Sequence, residues 1–183
     1  QEKKCRAKKM LSYLDKHKDM FLEMIAKGIA LPIYQIPAYR YPILITTEES
    51  INIPAEWEEV FRYEDWFITI GTDDKLCFSS FEFFEEHRDL IAKSQCVFMG
   101  EVFDINDNPH SFYHSDEIQM PKGDYRFDIY GLKRKHPYPK TDIENGNRNY
   151  AYLFAFRKVD NDSNENLERC DNDTHVFSIE EYL

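Results

Sequence analysis

Nothing in the 183 residues approaches the ~20 consecutive apolar positions that a membrane-spanning helix needs, so none is expected. Residues 1–28 carry lysines too far along for a secretory leader, with no apolar run behind them, so no signal peptide is expected either. The four cysteines, Cys5, Cys77, Cys96 and Cys170, include no C-x-x-C pair, which speaks against a structural zinc site. Cys77 and Cys96 sit among apolar neighbours, as free buried thiols do, and the expectation is reduced thiols in a cytoplasmic protein. Catalytic frames are missing as well: there is no G-x-S-x-G, no P-loop and no dinucleotide fingerprint. No cofactor, metal or catalytic residue is expected from motifs.

Basic charge is scarce where it would matter for nucleic acid. The net charge is −11, and it is uneven: residues 1–45 carry 9 basic and 4 acidic side chains, residues 46–128 carry 6 and 20, and residues 129–183 carry 8 and 10. An acidic middle repels phosphates and anionic lipid, so partners of those kinds are disfavoured and a basic protein partner is favoured. What the chain does have is aromatic residues, twelve Tyr and fourteen Phe among 42% hydrophobic residues, many of them alternating. This is the composition of a folded, sheet-rich domain.

The alternation is plainest from Tyr125 to Tyr130, where Tyr125, Phe127 and Ile129 share one face and Arg126, Asp128 and Tyr130 are expected on solvent. Pro121-Lys122-Gly123-Asp124 before it is turn chemistry, and Ile118 and Met120 alternate beyond the turn, so a hairpin is expected. Tyr150–Val159 alternates too. Trp66–Ile70, the turn Gly71–Asp74 and Lys75–Phe78 read as a second hairpin. Residues 2–27 carry Met10, Leu11, Leu14, Phe21, Leu22 and Ile25 at helical spacing, with Gly28 as the stop: an appended helix over 1–28. Ser79-x-x-Glu82 matches a capping box for a helix to about Lys93 that buries Phe81, Phe84, Leu90 and Ile91. Ala55–Tyr63 is ambiguous between helical turn and strand. Cys96–Ile105, bulky on both sides, reads as a central strand. Asp160–Thr174 reads as a mobile loop, and Val176–Ile179 as a last short strand. The expectation is an α+β fold, mainly an antiparallel β-sandwich, with a single β-rich domain over 29–183.

Three chemistries compete. His110 and His114 with Asp107, Asp116 and Glu117 are the one cluster with metal-ligand residue types, and would suit a metal-dependent hydrolase if they converged. Trp57, Tyr63, Trp66 and Tyr138 would suit a carbohydrate or small-molecule module. The acidic residues suit a surface that plugs a basic cleft, with Glu56, Trp57, Glu58, Glu59, Glu64, Asp65, Asp73, Asp74, Glu82, Glu85 and Glu86 as partner-binding candidates and Trp57 as an exposed aromatic anchor.

The stretch Met120-Pro121-Lys122-Gly123-Asp124-Tyr125, followed by an alternating strand, a loop and the long strand Tyr150–Val159, resembles the C-terminal half of the competence protein J family, inhibitors of a competence nuclease. The resemblance covers roughly residues 115–159. It implies a small β-sandwich and a cytosolic inhibitor of a basic nuclease or toxin. The N-terminal helix, the helix near 80–93 and the 133–149 loop have no counterpart in it. The leading expectation is therefore a non-enzymatic immunity or inhibitor protein.

Overall fold

The structure is a computed structural model that describes residues 13, 16–33, 36, 40–48, 50–91, 93, 95–104, 106–144, 148–160 and 175–183. Half of the helix expected over 2–27, residues 161–174 of the expected loop, Cys5 and Cys170 lie outside these residues. In chain order the elements are α1 (Lys18–Ala26), β1 (Ile43–Thr46), β2 (Trp57–Ile70), β3 (Lys75–Ser79), α2 (Phe81–Ile91), β4 (Phe98–Phe103), β5 (Pro109–Gln119), β6 (Gly123–Arg134), α3 (Lys140–Glu144), β7 (Tyr150–Val159) and a closing 3-10 turn, Ile179–Tyr182. The fold is α+β and mainly antiparallel, as the alternation implied. Among the described residues no helix is long and apolar enough to cross a membrane.

Two sheets form. The larger has the order β1-β7-β6-β2, with only the β1–β7 pair parallel, and the smaller has the order β3-β5-β4. Their facing sides share one core: Phe61, Trp66, Ile68, Ile70, Tyr125, Phe127, Ile129, Tyr152, Phe154 and Phe156 from the larger sheet meet Leu76 and Met120, with Phe78 and Ile118 packed against them. Phe177 and Ile179 close this core from the C-terminal segment, where the Tyr152 hydroxyl donates to the Phe177 carbonyl at 2.7 Å.

Both expected hairpins prove to be corners between sheets. β2 pairs with β6 and β3 pairs with β5, so the Gly71–Asp74 turn carries the chain out of the larger sheet and the Pro121–Lys122 turn carries it back. The two corners lie side by side. The Met120 amide donates to the Asp74 carbonyl at 2.9 Å, and the Lys122 amide donates to the Asp74 carboxylate at 2.6 Å. Turn chemistry marks where a chain reverses; it does not say whether the returning strand pairs with the outgoing one.

The ambiguous Ala55–Tyr63 segment is strand, because Phe61 and Tyr63 alternate into the shared core as the first part of β2. The α1 terminus is tied to the domain: Ile25 and Ala26 are buried, and the Gly28 carbonyl accepts from the Thr69 amide at 2.9 Å. Gly28 has φ +63, and an added Cβ there would stand 2.7 Å from the Ile68 backbone, so the stop is also a point of close approach. At α2 the cap is Ser80, whose hydroxyl accepts from the Phe83 amide at 3.2 Å, while Ser79 donates to the Ser80 carbonyl. Among the described side chains of that helix the buried aromatic is Phe83, and Phe84, Leu90 and Ile91 are half-buried; the Phe81 side chain lies outside the described set. The segment expected as a central strand, Cys96–Ile105, supplies β4, and β4 lies at an edge. Residues 175–178 belong to neither sheet.

Candidate functional site on the outer face of the larger sheet

Arg126, Asp128 and Tyr130 were expected on solvent, and the structure buries all three, Asp128 to 1% exposure. The reason lies in their neighbours. Trp57, Leu132, Ala151, Leu153 and Ala155 line the same outer face, and Leu44, Ile51 and Ile53 pack onto it as a second, smaller core. The signal was present in β7, whose second face (Ala151, Leu153, Ala155) is also apolar. A strand apolar on both faces is covered on both.

Asp128 is the centre of a polar network at the middle of this face. Arg157 on β7 donates to it twice, at 2.8 and 3.2 Å, Arg62 on β2 stands at 3.5 Å, and the Asp65 amide donates at 2.8 Å. Burial alone would raise the Asp128 carboxyl. The Arg157 hydrogen bonds, the Asp65 amide and the charges of Arg157 and Arg62 outweigh that and hold it below the ordinary carboxylate range.

Why the backbone amide of Asp65 reaches Asp128 is a matter of register. β2 pairs Tyr63 with Ile129 and Trp66 with Phe127, so Glu64 and Asp65 together oppose the single residue Asp128: a β-bulge. Asp65 sits at φ 68, a left-handed conformation uncommon for a residue with a side chain. Arg126 holds the other backbone group of the same residue, donating to the Asp65 carbonyl at 2.9 Å. Two buried side chains of β6 thus fix the bulge from below. Above it lies an open recess of about 410 Å³ lined by Arg62, Glu64, Asp65, Asp128 and Arg157. Arg62 pairs with Glu64, and Arg157 stands 3.5 Å from the Asp65 carboxylate. The side chains of Glu64 and Asp65 are 59% and 54% exposed, so the bulge presents two carboxylates to solvent over a buried third.

Of the expected partner-binding residues, Glu64 and Asp65 belong to this site and the others are spread out. Trp57 is 6% exposed, part of the outer-face core under the Arg134 guanidinium, and is no exposed anchor. Glu58 pairs with Lys133 at 3.3 Å, and Glu56 and Glu59 lie with it at the start of β2. From there to Asp73 and Asp74, beyond the far end of β2, is about 40 Å at ~3.3 Å per residue. Glu82, Glu85 and Glu86 fall in α2, beyond β3. Acidic residues close in sequence are therefore strung along the molecule. Sequence reasoning missed Arg62, Arg126, Asp128 and Arg157, because their interest lies in cross-strand register and no local spacing records that.

The competing chemistries lose their geometry. His110 and His114 lie on one strand about 13 Å apart, too far to share a metal. His110 faces Asp104 at 3.4 Å, while His114 packs against Phe112 and Phe98. Among the described residues no three His, Cys, Asp or Glu side chains are placed to hold an ion. Trp57 and Trp66 are core residues, Tyr63 is occupied by the C-terminal segment, and Tyr138 stacks under Arg134, so these aromatics form no open platform.

Fold and site together define a two-sheet α+β protein with a braced acidic bulge on one outer face. The chain matches no family model, no curated protein and no solved structure to which it was compared.

Proposed function

We propose that this protein is a non-enzymatic immunity or inhibitor protein of the cytoplasm, which neutralises a basic toxin or nuclease by covering its cleft with an acidic surface. The observation that carries this reading is the bulge at Asp65. A non-glycine residue in a left-handed conformation costs of order 1–3 kcal/mol and persists only where its surroundings impose it. Here a buried aspartate and a buried arginine impose it, and the product is a fixed backbone that presents two half-exposed carboxylates, each beside an arginine. Rigid presentation lowers the ordering cost of binding, and a net charge of −11 steers a cationic partner toward the surface. The resemblance of residues 115–159 to the competence protein J family points to the same class of function.

The test is capture from the native cell extract with tagged protein at low and high salt. The reading expects one stoichiometric basic protein that elutes as salt rises, and a loss of affinity of about tenfold or more for Glu64→Ala/Asp65→Ala. Retention indifferent both to salt and to those substitutions would refute it.

A further inference from the structure

Among the described residues the two sheets have four edges, and three are managed. β2 carries two register shifts, its Thr69 amide is taken by Gly28, and the Tyr63 hydroxyl bonds both the amide and the carbonyl of Val176 alongside it. β1 is four residues long and follows Pro42, and β3 is five residues long and leads directly into α2. β4 is different. Its six residues pair with β5 on one side, and among the described residues no backbone group meets its other side. Beside that open edge, one face of the strand pair carries Val97, Met99, Phe103 and Tyr113, exposed by 53, 52, 61 and 55%. Met99 is directly opposite Tyr113, and alternation puts Phe103 and Val97 on the same side. An open edge flanked by large exposed apolar residues is a template for another strand.

We propose that a second copy of this chain occupies it: two β4 strands pair antiparallel about a two-fold axis at Gly100, joining two three-stranded sheets into one of six strands. The occupant follows from charge and register. A two-fold at Glu101 would set Glu101 directly against its own copy, and one at Met99 would set Phe103 against the polar, exposed Gln95. At Gly100, Phe103 faces Val97 of the second copy and Met99 faces the aliphatic stem of its Glu101, so apolar meets apolar and no like charges stand directly opposite. The strand's flanks are complementary in the same sense. Asp107 follows its C-terminal end and Lys93 precedes its N-terminal end, both exposed, and antiparallel pairing brings acid to base at both ends. A two-fold contact of one patch with itself closes, which stops the edge from propagating into a fibre.

This inference uses the smaller sheet and none of the Asp128 network, so it stands or falls separately from the proposed function. Its salt response is also opposite. Two chains of −11 repel one another, so the apolar dimer tightens as salt rises, whereas capture of a basic partner loosens. Size exclusion with light scattering on the full chain across the micromolar range should give a mass approaching twice 21.9 kDa, more completely at high salt. Met99→Lys and Phe103→Lys, both at exposed positions, should each raise the dimer dissociation constant at least about tenfold with the thermal midpoint of the dilute protein unchanged. Ile29→Lys, an equally exposed apolar position elsewhere, should leave the dimer intact. A wild-type chain that stays monomeric at every concentration and salt overturns the proposal, as does a dimer indifferent to both β4 substitutions.

Discussion

The central strands of the two sheets are built from similar material and end in different states. β6 buries eight consecutive residues, Tyr125 to Leu132, whereas β5, the central strand of the smaller sheet, buries only Ser115. The difference lies in what each sheet has on its two sides. The larger sheet meets the smaller one on one face and the Leu44, Ile51 and Ile53 cluster on the other. The smaller sheet contributes its β3 end to the shared core, through Leu76, Phe78, Ile118 and Met120, while its β4 end stands with apolar side chains in solvent. Stability and exposure are thereby separated: one sheet holds the fold, and the other offers an edge.

The largest test of that separation is a pair of truncations. Ile129, fully buried between the sheets, should cost about 3–4 kcal/mol on Ile129→Ala, since transfer and cavity terms add. Met99→Ala on β4 should stay within about 0.5 kcal/mol in dilute protein, because half its surface is already wet. Urea unfolding of both variants measures the gap, and equal costs would break the distinction.

Next in size is the polar centre. Asp128→Ala leaves Arg157, Arg62 and the Asp65 amide without their shared acceptor. It should cost about 2–3 kcal/mol, less than the ~3–5 of fully buried pairs because both guanidiniums are about two-fifths exposed. The sign with pH is fixed by the depressed carboxyl. A group whose folded pKa lies below its unfolded value stabilises fully above the unfolded value, near ~3.9, and its contribution is lost as pH falls through the folded one. The deficit of Asp128→Ala should therefore be constant at neutral pH and shrink below about pH 4. A deficit unchanged in acid would mean that the variant loses packing and no charge pairing.

How far the sequence reveals these two sheets depends on which property is asked of it. Strand identity was legible wherever alternation persisted: Tyr125–Tyr130, Tyr150–Val159 and Trp66–Ile70 are strands because a period of two puts a continuous apolar row on one face. Pairing was not legible. Gly71–Asp74 and Pro121–Asp124 have hairpin chemistry, yet both are corners, because pairing is decided by which strand completes the buried face. The error at β4 has the same root. Val97, Phe98, Met99 and Phe103 look like core in a sequence, and only the absence of a covering layer among the described residues, a tertiary property, makes them surface. Aspartate is among the side chains that most readily take a left-handed backbone, but nothing local singles out Asp65 within a strand, since the conformation is imposed from β6 by Asp128 and Arg126.

A smaller effect separates the two sheets where they adjoin α2. The Ser80 hydroxyl accepts the Phe83 amide, and Ser80→Ala should cost about 1 kcal/mol, the usual value of a lost cap. Native-state hydrogen exchange would show whether that loss stays with α2 and β4 or spreads to β6 and β7. Confinement is expected, because Phe83 packs on Phe98 and His87 and no residue of the larger sheet belongs to that stack.

Smallest in energy, and sharpest as a boundary, is the thiol pair of the smaller sheet. Both Cys77 and Cys96 are free, Cys77 half-buried and Cys96 buried. Burial, and then hydrogen bonding to Cys77, pushes the Cys96 thiol up to about 12, so almost none of it is thiolate at pH 8. Alkylation of Cys96 therefore requires both opening and ionisation. In native protein at pH 8, Cys77 should label before Cys96, and Cys96 should label only as fast as the segment between α2 and β4 opens. If the smaller sheet is the looser of the two, that opening rate should exceed global unfolding, and Ser80→Ala should raise it while Ile129→Ala raises both together. Should Cys96 label no faster than the β6 amides exchange, the two sheets open as one unit and the division between holding the fold and offering an edge would not extend to dynamics.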